Sequence, residues 1–172
     1  WSSDVCSSDL GSRVHIGYFA QEHTELHSHL TVLEELMADY TMNEEQARSL
    51  LGRFLFRGDD VFTSVDSLSG GEQARLALLK LLLSGPNFLI LDEPTNHLDI
   101  PTREILEDAL LDFGGTYLIV SHDRYFLDKI TTRTLSLENK QVKDFAGNYS
   151  YYKEKEAELL ALQAEKEYFK NS

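Results

Sequence analysis

The chain has 172 residues, 42% of them hydrophobic, enough for one domain with a real core and too few for two. Its formal charge of -13 repels polyanions, which excludes a general nucleic-acid-binding surface and leaves such contacts to a local patch or to regions beyond these residues. The longest apolar stretches, Leu76 to Leu83 and Phe88 to Leu91, are broken by Lys80, Ser84 and Asp92. They fall short of the roughly 20 residues of a spanning helix, so a soluble protein is expected.

The single cysteine, Cys6, excludes an internal disulfide and fits a reducing compartment. Residues Asp4 to Leu10 read as the translation of a common sequencing adaptor. Residues 1–10 are therefore taken as an artefact joined to a natural sequence that begins near Gly11 and extends further toward its N-terminus.

From Arg13 to Ala20, Val14, Ile16 and Tyr18 alternate with His15, Gly17 and Phe19, the period of a strand ending at Gln21. A polar loop with His23, His27 and His29 follows; without cysteine or a helical two-histidine spacing it is not a metal motif. Val32, Leu33, Leu36 and Met37 have helical spacing within Thr31 to Tyr40, and Asn43 with Glu44 and Glu45 opens a second helix through Leu51. After a turn at Gly58-Asp59-Asp60 and the Ser-rich stretch Ser64 to Ser69, a helix is expected from Gly70 to about Leu83, stopped by Gly85-Pro86.

Phe88 to Leu91 has the composition of a strand buried on both faces of a parallel sheet. Pro101 suits the first helical residue of a segment through Leu111. Tyr117 to Val120 reads as another buried strand, parallel to the Phe88 strand, before a short helix at Arg124 to Ile130. Strands at Arg133 to Leu137 and Val142 to Phe145 close the globular part. Tyr149 to Phe169 is one charged helix whose Ala157, Leu160, Ala161, Ala164 and Tyr168 share a stripe. The alternation makes the fold α/β.

Two segments carry chemistry. Parallel sheets put ligand sites at the carboxyl ends of strands, where Asp92 and Glu93 directly follow an apolar strand. An acid there holds Mg²⁺, usually through water, and a neighbouring acid orients or deprotonates an attacking water. Leu68-Ser69-Gly70-Gly71-Glu72-Gln73 starts a helix with unpaired backbone N–H groups at the positive end of its dipole, an arrangement suited to an anion. Ser121, His122 and Asp123 are not a catalytic triad, because adjacent residues cannot face one another in the required geometry.

These motifs resemble the ABC ATP-binding cassette. Leu68 to Gln73 is similar to its signature, Phe88 to Glu93 to Walker B with its glutamate, and Asp99 to its D-loop. Gln21 after a strand resembles the Q-loop glutamine, and His122 the switch histidine. Asp92 to Asp99, paired with Ser121 to Leu127, resembles the ABC-F subfamily, whose members carry two cassettes on one chain, have no membrane domain and mostly act on ribosomes.

The resemblance implies a partial P-loop NTPase fold over residues 11–148, with parallel core strands, a helical signature subdomain at about 27–83, and a helical extension or linker start at 149–172. It implies ATP and Mg²⁺ as cofactors. Gln21 and Asp92 would serve the metal, Glu93 the attacking water, His122 and Gln21 the γ-phosphate, and Ser69, Gly70, Gly71, Glu72 and Asp99 the nucleotide shared with a second cassette on the same chain. The implied setting is cytoplasmic, without a membrane, with ribosomal RNA and tRNA as partners through regions mostly outside these residues.

The departure is the phosphate loop: no Gly-x-x-x-x-Gly-Lys-Ser/Thr occurs in the sequence, nor an upstream aromatic to stack on adenine. These residues by themselves are expected to bind ATP weakly and turn it over little or not at all. Phe54 to Val61 resembles second cassettes. Rival readings are the ATPase motor subunit of an ABC transporter, engaging a membrane partner through the helical layer, and a non-catalytic interaction domain.

Overall fold

The computed structural model describes residues 11–20, 26–96 and 98–171, and the chain divides into two compact units, Trp1–Val120 and Ser121–Ser172. In the first unit, β1 (Ile16–Ala20), β2 (Phe88–Asp92) and β3 (Thr116–Val120) form a sheet in the order β1-β2-β3 with both pairings parallel, as expected of the two later strands. Gly17, Leu89 and Tyr117 share one register row.

β1 starts three residues later than its alternation suggested, because Asn87 straddles the preceding segment. Its side chain donates to the Arg13 carbonyl at 2.7 Å and accepts the His15 N–H at 2.9 Å, which brings the incoming chain alongside β2 before ladder pairing begins.

Of the Phe88 strand, expected to be buried on both faces, Leu89 and Leu91 are buried on one face, while Phe88 and Ile90 are half-buried on the other within these residues. Phe19 is buried on the Leu89 face, whereas Ile16, Tyr18, Leu118 and Val120 on the other are exposed. The reason is the placement of α3 (Gly70–Leu83): a Cβ on Gly17 would lie 2.9 Å from both Leu81 and Leu89 side chains, so this helix sits tightly on the Leu89 face. Burial of Leu89 and Leu91 contributes about 1.5–3 kcal/mol for each side chain.

α1 (Val32–Asp39) and α2 (Glu44–Arg53) form the helical layer before α3. Thr31 is the N-cap of α1, paired reciprocally with Glu34, and Asn43 caps α2 in the same way with Gln46; each box satisfies two otherwise orphaned donors. Glu35, which the helical period hides among apolar neighbours, is fully buried. It accepts the His27 backbone N–H at 3.1 Å, forms an ion pair with Lys80 of α3 and is hydrogen-bonded to His27 Nδ1 at 3.0 Å.

Lys80 also reaches Asp39 at 2.8 Å. Burial alone would lower the Lys80 pKa, but hydrogen bonds to Asp39 and Glu35 carry it above the usual lysine value. The residue that interrupts the apolar run of α3 is therefore the cation that ties α3 to α1.

α4 (Ile100–Leu111) begins one residue before the expected Pro101. The Asp99 carboxylate accepts the Thr102 N–H at 3.1 Å, which makes Asp99 the N-cap and leaves proline inside a first turn where no N–H is needed.

The second unit comprises α5 (Arg124–Ile130), the antiparallel hairpin of β4 (Thr134–Glu138) and β5 (Gln141–Phe145), and α6 (Tyr149–Asn171). Asn139 and Lys140, both at positive φ (49 and 63), make the two-residue turn whose twist suits a hairpin. Arg133 and Asp144 pair across its end. α6 is anchored at its start, where Asp128 of α5 accepts the Ser150 N–H at 2.6 Å and Tyr152 meets Phe145 edge-on at 5.0 Å. Of the expected stripe, Ala157, Leu160, Ala161 and Ala164 are exposed, and the Tyr168 side chain lies outside the described residues. No described helix is long and apolar enough to cross a membrane.

Candidate functional site

The start of α3 is a capping box. Ser69 accepts the Glu72 N–H, while the Glu72 carboxylate accepts the Ser69 N–H at 2.8 Å and the Ser69 hydroxyl at 2.7 Å. These bonds from Ser69 hold the Glu72 pKa below its ordinary value. Glu72, expected among the ligand-facing residues, thus turns back on its own helix start and leaves Gly70 and Gly71 as the first-turn donors. A Cβ on Gly70 would meet nothing within 4 Å, so the backbone there is open to a ligand.

Gly71 faces inward. A Cβ at this position would lie 3.2 Å from Asp99 Oδ1 and 3.3 Å from Thr102 Oγ1, so glycine permits the starts of α3 and α4 to meet. Between them lies Arg75, 7% exposed. Its Nη1 donates to Thr102 Oγ1 at 2.8 Å and lies 3.8 Å from Asp99, and its guanidinium covers the Phe56 ring at 5.5 Å. Hydrogen bonding from Thr102 lowers the Asp99 pKa, with a smaller contribution from Arg75.

At the carboxyl end of the central strand, Asp92 is exposed and Glu93 partly so. Glu93 has φ 45, a left-handed conformation that a non-glycine residue adopts at a cost of order 1–3 kcal/mol. It is held there by its N–H bond to the Val120 carbonyl at 2.8 Å and by accepting the Asn96 N–H at 3.2 Å. The chain therefore turns sharply at the strand end, with two adjacent carboxylates at the edge of the sheet. Oxygen donors of this kind match the hard-ligand demand of Mg²⁺, and the open Gly70 backbone matches that of a phosphate.

Residues 7–96 match the protein-family model described as ABC transporter. The chain belongs to the ABC ATP-binding cassette family. Within it, this is an ABC-F chain, as its curated relatives indicate. It is 54% identical over 161 residues to the ATP-binding protein YdiF of Bacillus subtilis (strain 168), covering 93% of this chain and 25% of that one. It is 43% identical over 152 residues to ABC transporter F family member 5 of Arabidopsis thaliana, covering 87% and 22%.

The energy-dependent translational throttle protein EttA of Escherichia coli (strain K12) is 41% identical over 161 residues, covering 90% of this chain and 29% of that one. The cassette chain thus spans about a quarter of the length of these relatives. A solved dimeric, post-hydrolysis ATP-binding cassette bound to ADP and Pi shares the fold, with a TM-score of 0.59 at 24% identity over 85% of this chain and 72% of that one.

Of the cassette residues expected from sequence, Ser69, Gly70, Gly71, Glu72 and Asp99 meet at the α3–α4 corner, and Asp92 with Glu93 sit together at the end of β2. His122 is an exposed residue in the turn before α5, in the second unit. Its neighbour Asp123 caps α5 at the Phe126 N–H and donates its own N–H to Ser121 Oγ, which leaves these three residues in a local turn and not a triad. Gln21 and His97 lie outside the described residues.

Sequence reasoning missed Arg75 and Thr102. The available signal was an arginine set between Ala74 and Leu76 on the apolar side of α3.

Proposed function

We propose that the chain is part of the second cassette of a two-cassette ABC-F ATPase that acts on the ribosome in the cytoplasm. The observation that carries this reading is the Asp92-Glu93 pair, with Glu93 locked in a left-handed turn at the carboxyl end of the central parallel strand. Such a turn projects two adjacent acids to where nucleotide-binding sheets place their ligand. ATP with Mg²⁺ would supply the energy that drives the cassettes together. Asp92 and Gln21 would hold the metal, Glu93 would orient and deprotonate the attacking water, and His122 and Gln21 would contact the γ-phosphate.

Ser69, Gly70, Gly71 and Asp99 face the nucleotide bound mainly by the other cassette, so the catalytic arrangement is complete only on closure. Closure is the output that a partner senses, and hydrolysis reverses it. The phosphate loop would belong to the longer protein, as would most of the ribosome contact; the similarity to EttA, an energy-dependent translational throttle protein, supports the translational setting.

The test is steady-state ATP turnover by the full-length protein, with Glu93→Gln as control. The proposal expects turnover in the wild type and its near-abolition in the variant. Turnover accompanied by co-purification of a membrane permease would replace the ribosomal reading with a transporter motor. A wild type that turns over no ATP would leave a non-catalytic interaction domain.

A further inference from the structure

Arg75 sits where a charged side chain is hard to justify by stability. Its side chain is 9% exposed, its Nη1 has the Thr102 hydroxyl at 2.8 Å, and its nearest carboxylates, Asp99 and Glu72, are at 3.8 Å and 3.9 Å, too far for direct hydrogen bonds. Nε is a buried side-chain nitrogen without any hydrogen-bond partner. A buried, incompletely satisfied cation costs free energy, and an apolar side chain of similar length is often neutral or stabilising in its place.

What the guanidinium does that an apolar side chain cannot is geometric. It reaches from the second turn of α3 to the first turn of α4, where Thr102 is 2% exposed. On one side of this bridge, Gly71 brings the α3 start to within 3.2 Å of Asp99 at the position of a Cβ. On the other, Asp99 is fixed by capping Thr102, the same residue that Arg75 holds. Phe56 supports the guanidinium plane. Two loop ends far apart in sequence are thereby tied through one side chain.

We infer that Arg75 is a positioning residue that makes Ser69-Gly70-Gly71 and Asp99 a single rigid edge, so that both reach the nucleotide of the opposite cassette together. This rests on the function proposed above. Because that edge is engaged only when the cassettes close, its loss slows turnover while leaving the initial capture of ATP, by other residues, largely intact.

The experiment uses the full-length two-cassette protein with Arg75→Met, Arg75→Lys, Thr102→Val and the pair Arg75→Met/Thr102→Val. Turnover, KM for ATP and thermal melting are measured on each. Arg75→Met is expected to melt close to the wild type while kcat falls about tenfold and KM changes less than about threefold. Thr102→Val lowers kcat in the same direction, the pair is no worse than Arg75→Met alone, and Arg75→Lys recovers part of the loss.

Should Arg75→Met fail to fold, Thr102→Val, which at nearly constant volume removes the hydroxyl that Arg75 and Asp99 share, carries the same test. An unchanged kcat in the folded variants, or additive losses in the pair, would overturn the assignment of Arg75. Absence of ATP turnover in the wild type would instead overturn the function on which it rests.

Discussion

The corner between α3 and α4 and the end of β2 both serve the proposed nucleotide site, but they are built in opposite ways. At the corner, side chains do the fixing: Ser69 with Glu72, Asp99 with Thr102, and Arg75 between them, around a glycine that admits nothing larger. At the strand end the backbone does it, through the left-handed Glu93 and its bond to the Val120 carbonyl, and the Asp92 side chain faces solvent. The first region is tuned for a fixed shape and the second for presenting carboxylates to something that arrives.

The comparison can be tested by substitutions that separate shape from chemistry. The largest effect is expected at the other end of α3, in its last turn, where the buried Glu35 pairs with Lys80 and holds α3 to α1. Glu35→Ala removes the buried partner of Lys80, leaving it with the half-exposed Asp39, and should destabilise by about 3–5 kcal/mol, read by denaturant melting. Retention of full stability would mean that the packing of α3 on α1 does not depend on this pair.

Glu93→Gln is next. It should lower kcat by about two orders of magnitude, roughly 2.7 kcal/mol, with melting little changed, because the near-isosteric amide keeps the backbone bond to the Val120 carbonyl that holds the turn. Loss of stability in this variant would show that the side chain, too, is structural.

Gly71→Ala probes the boundary between the two behaviours. Its methyl meets Asp99 at 3.2 Å, so the variant should lose about 1–3 kcal/mol of stability and turnover along with it. Gly70→Ala, with open space around the Cβ, should leave stability within about 1 kcal/mol while still impeding a ligand at the backbone.

The smallest effect is acid sensitivity. Glu72 and Asp99 both have folded-state pKa values lowered by hydrogen bonds, from Ser69 and Thr102 respectively. Their contribution is fully present above the unfolded carboxylate values of about 4 and is lost as pH falls through the lower folded ones. Both groups are substantially exposed, so solvent screening keeps the contribution small. Melting temperatures between pH 6 and pH 3 should fall less steeply in Glu72→Gln than in the wild type.

Much of the fold was legible because it follows local rules. Ser69-Gly70-Gly71 before an apolar run announced α3, Gly85-Pro86 its end, and the apolar Phe88 to Leu91 run the central strand. Non-local facts were not legible. Apolar composition could not reveal that one face of the sheet, with Ile16, Tyr18, Leu118 and Val120, is exposed. The α6 stripe satisfied the helical period without burying it.

In the candidate site, the placement of Asp92 and Glu93 at a strand end and of the glycines at a helix start could be read from type and order. Arg75 and Glu35 could not, since a periodicity reading takes charge as a mark of solvent, and their partners lie 27 and 45 residues away at Thr102 and Lys80. The left-handed φ of Glu93 was equally hidden, because no turn former marks it.

The most direct test of the central claim is co-sedimentation of full-length Glu93→Gln protein with ribosomes. The account predicts retention on ribosomes with ATP and release with ADP, because the variant closes its cassettes and cannot reopen them by hydrolysis. Equal sedimentation with either nucleotide, or none with both, would contradict it.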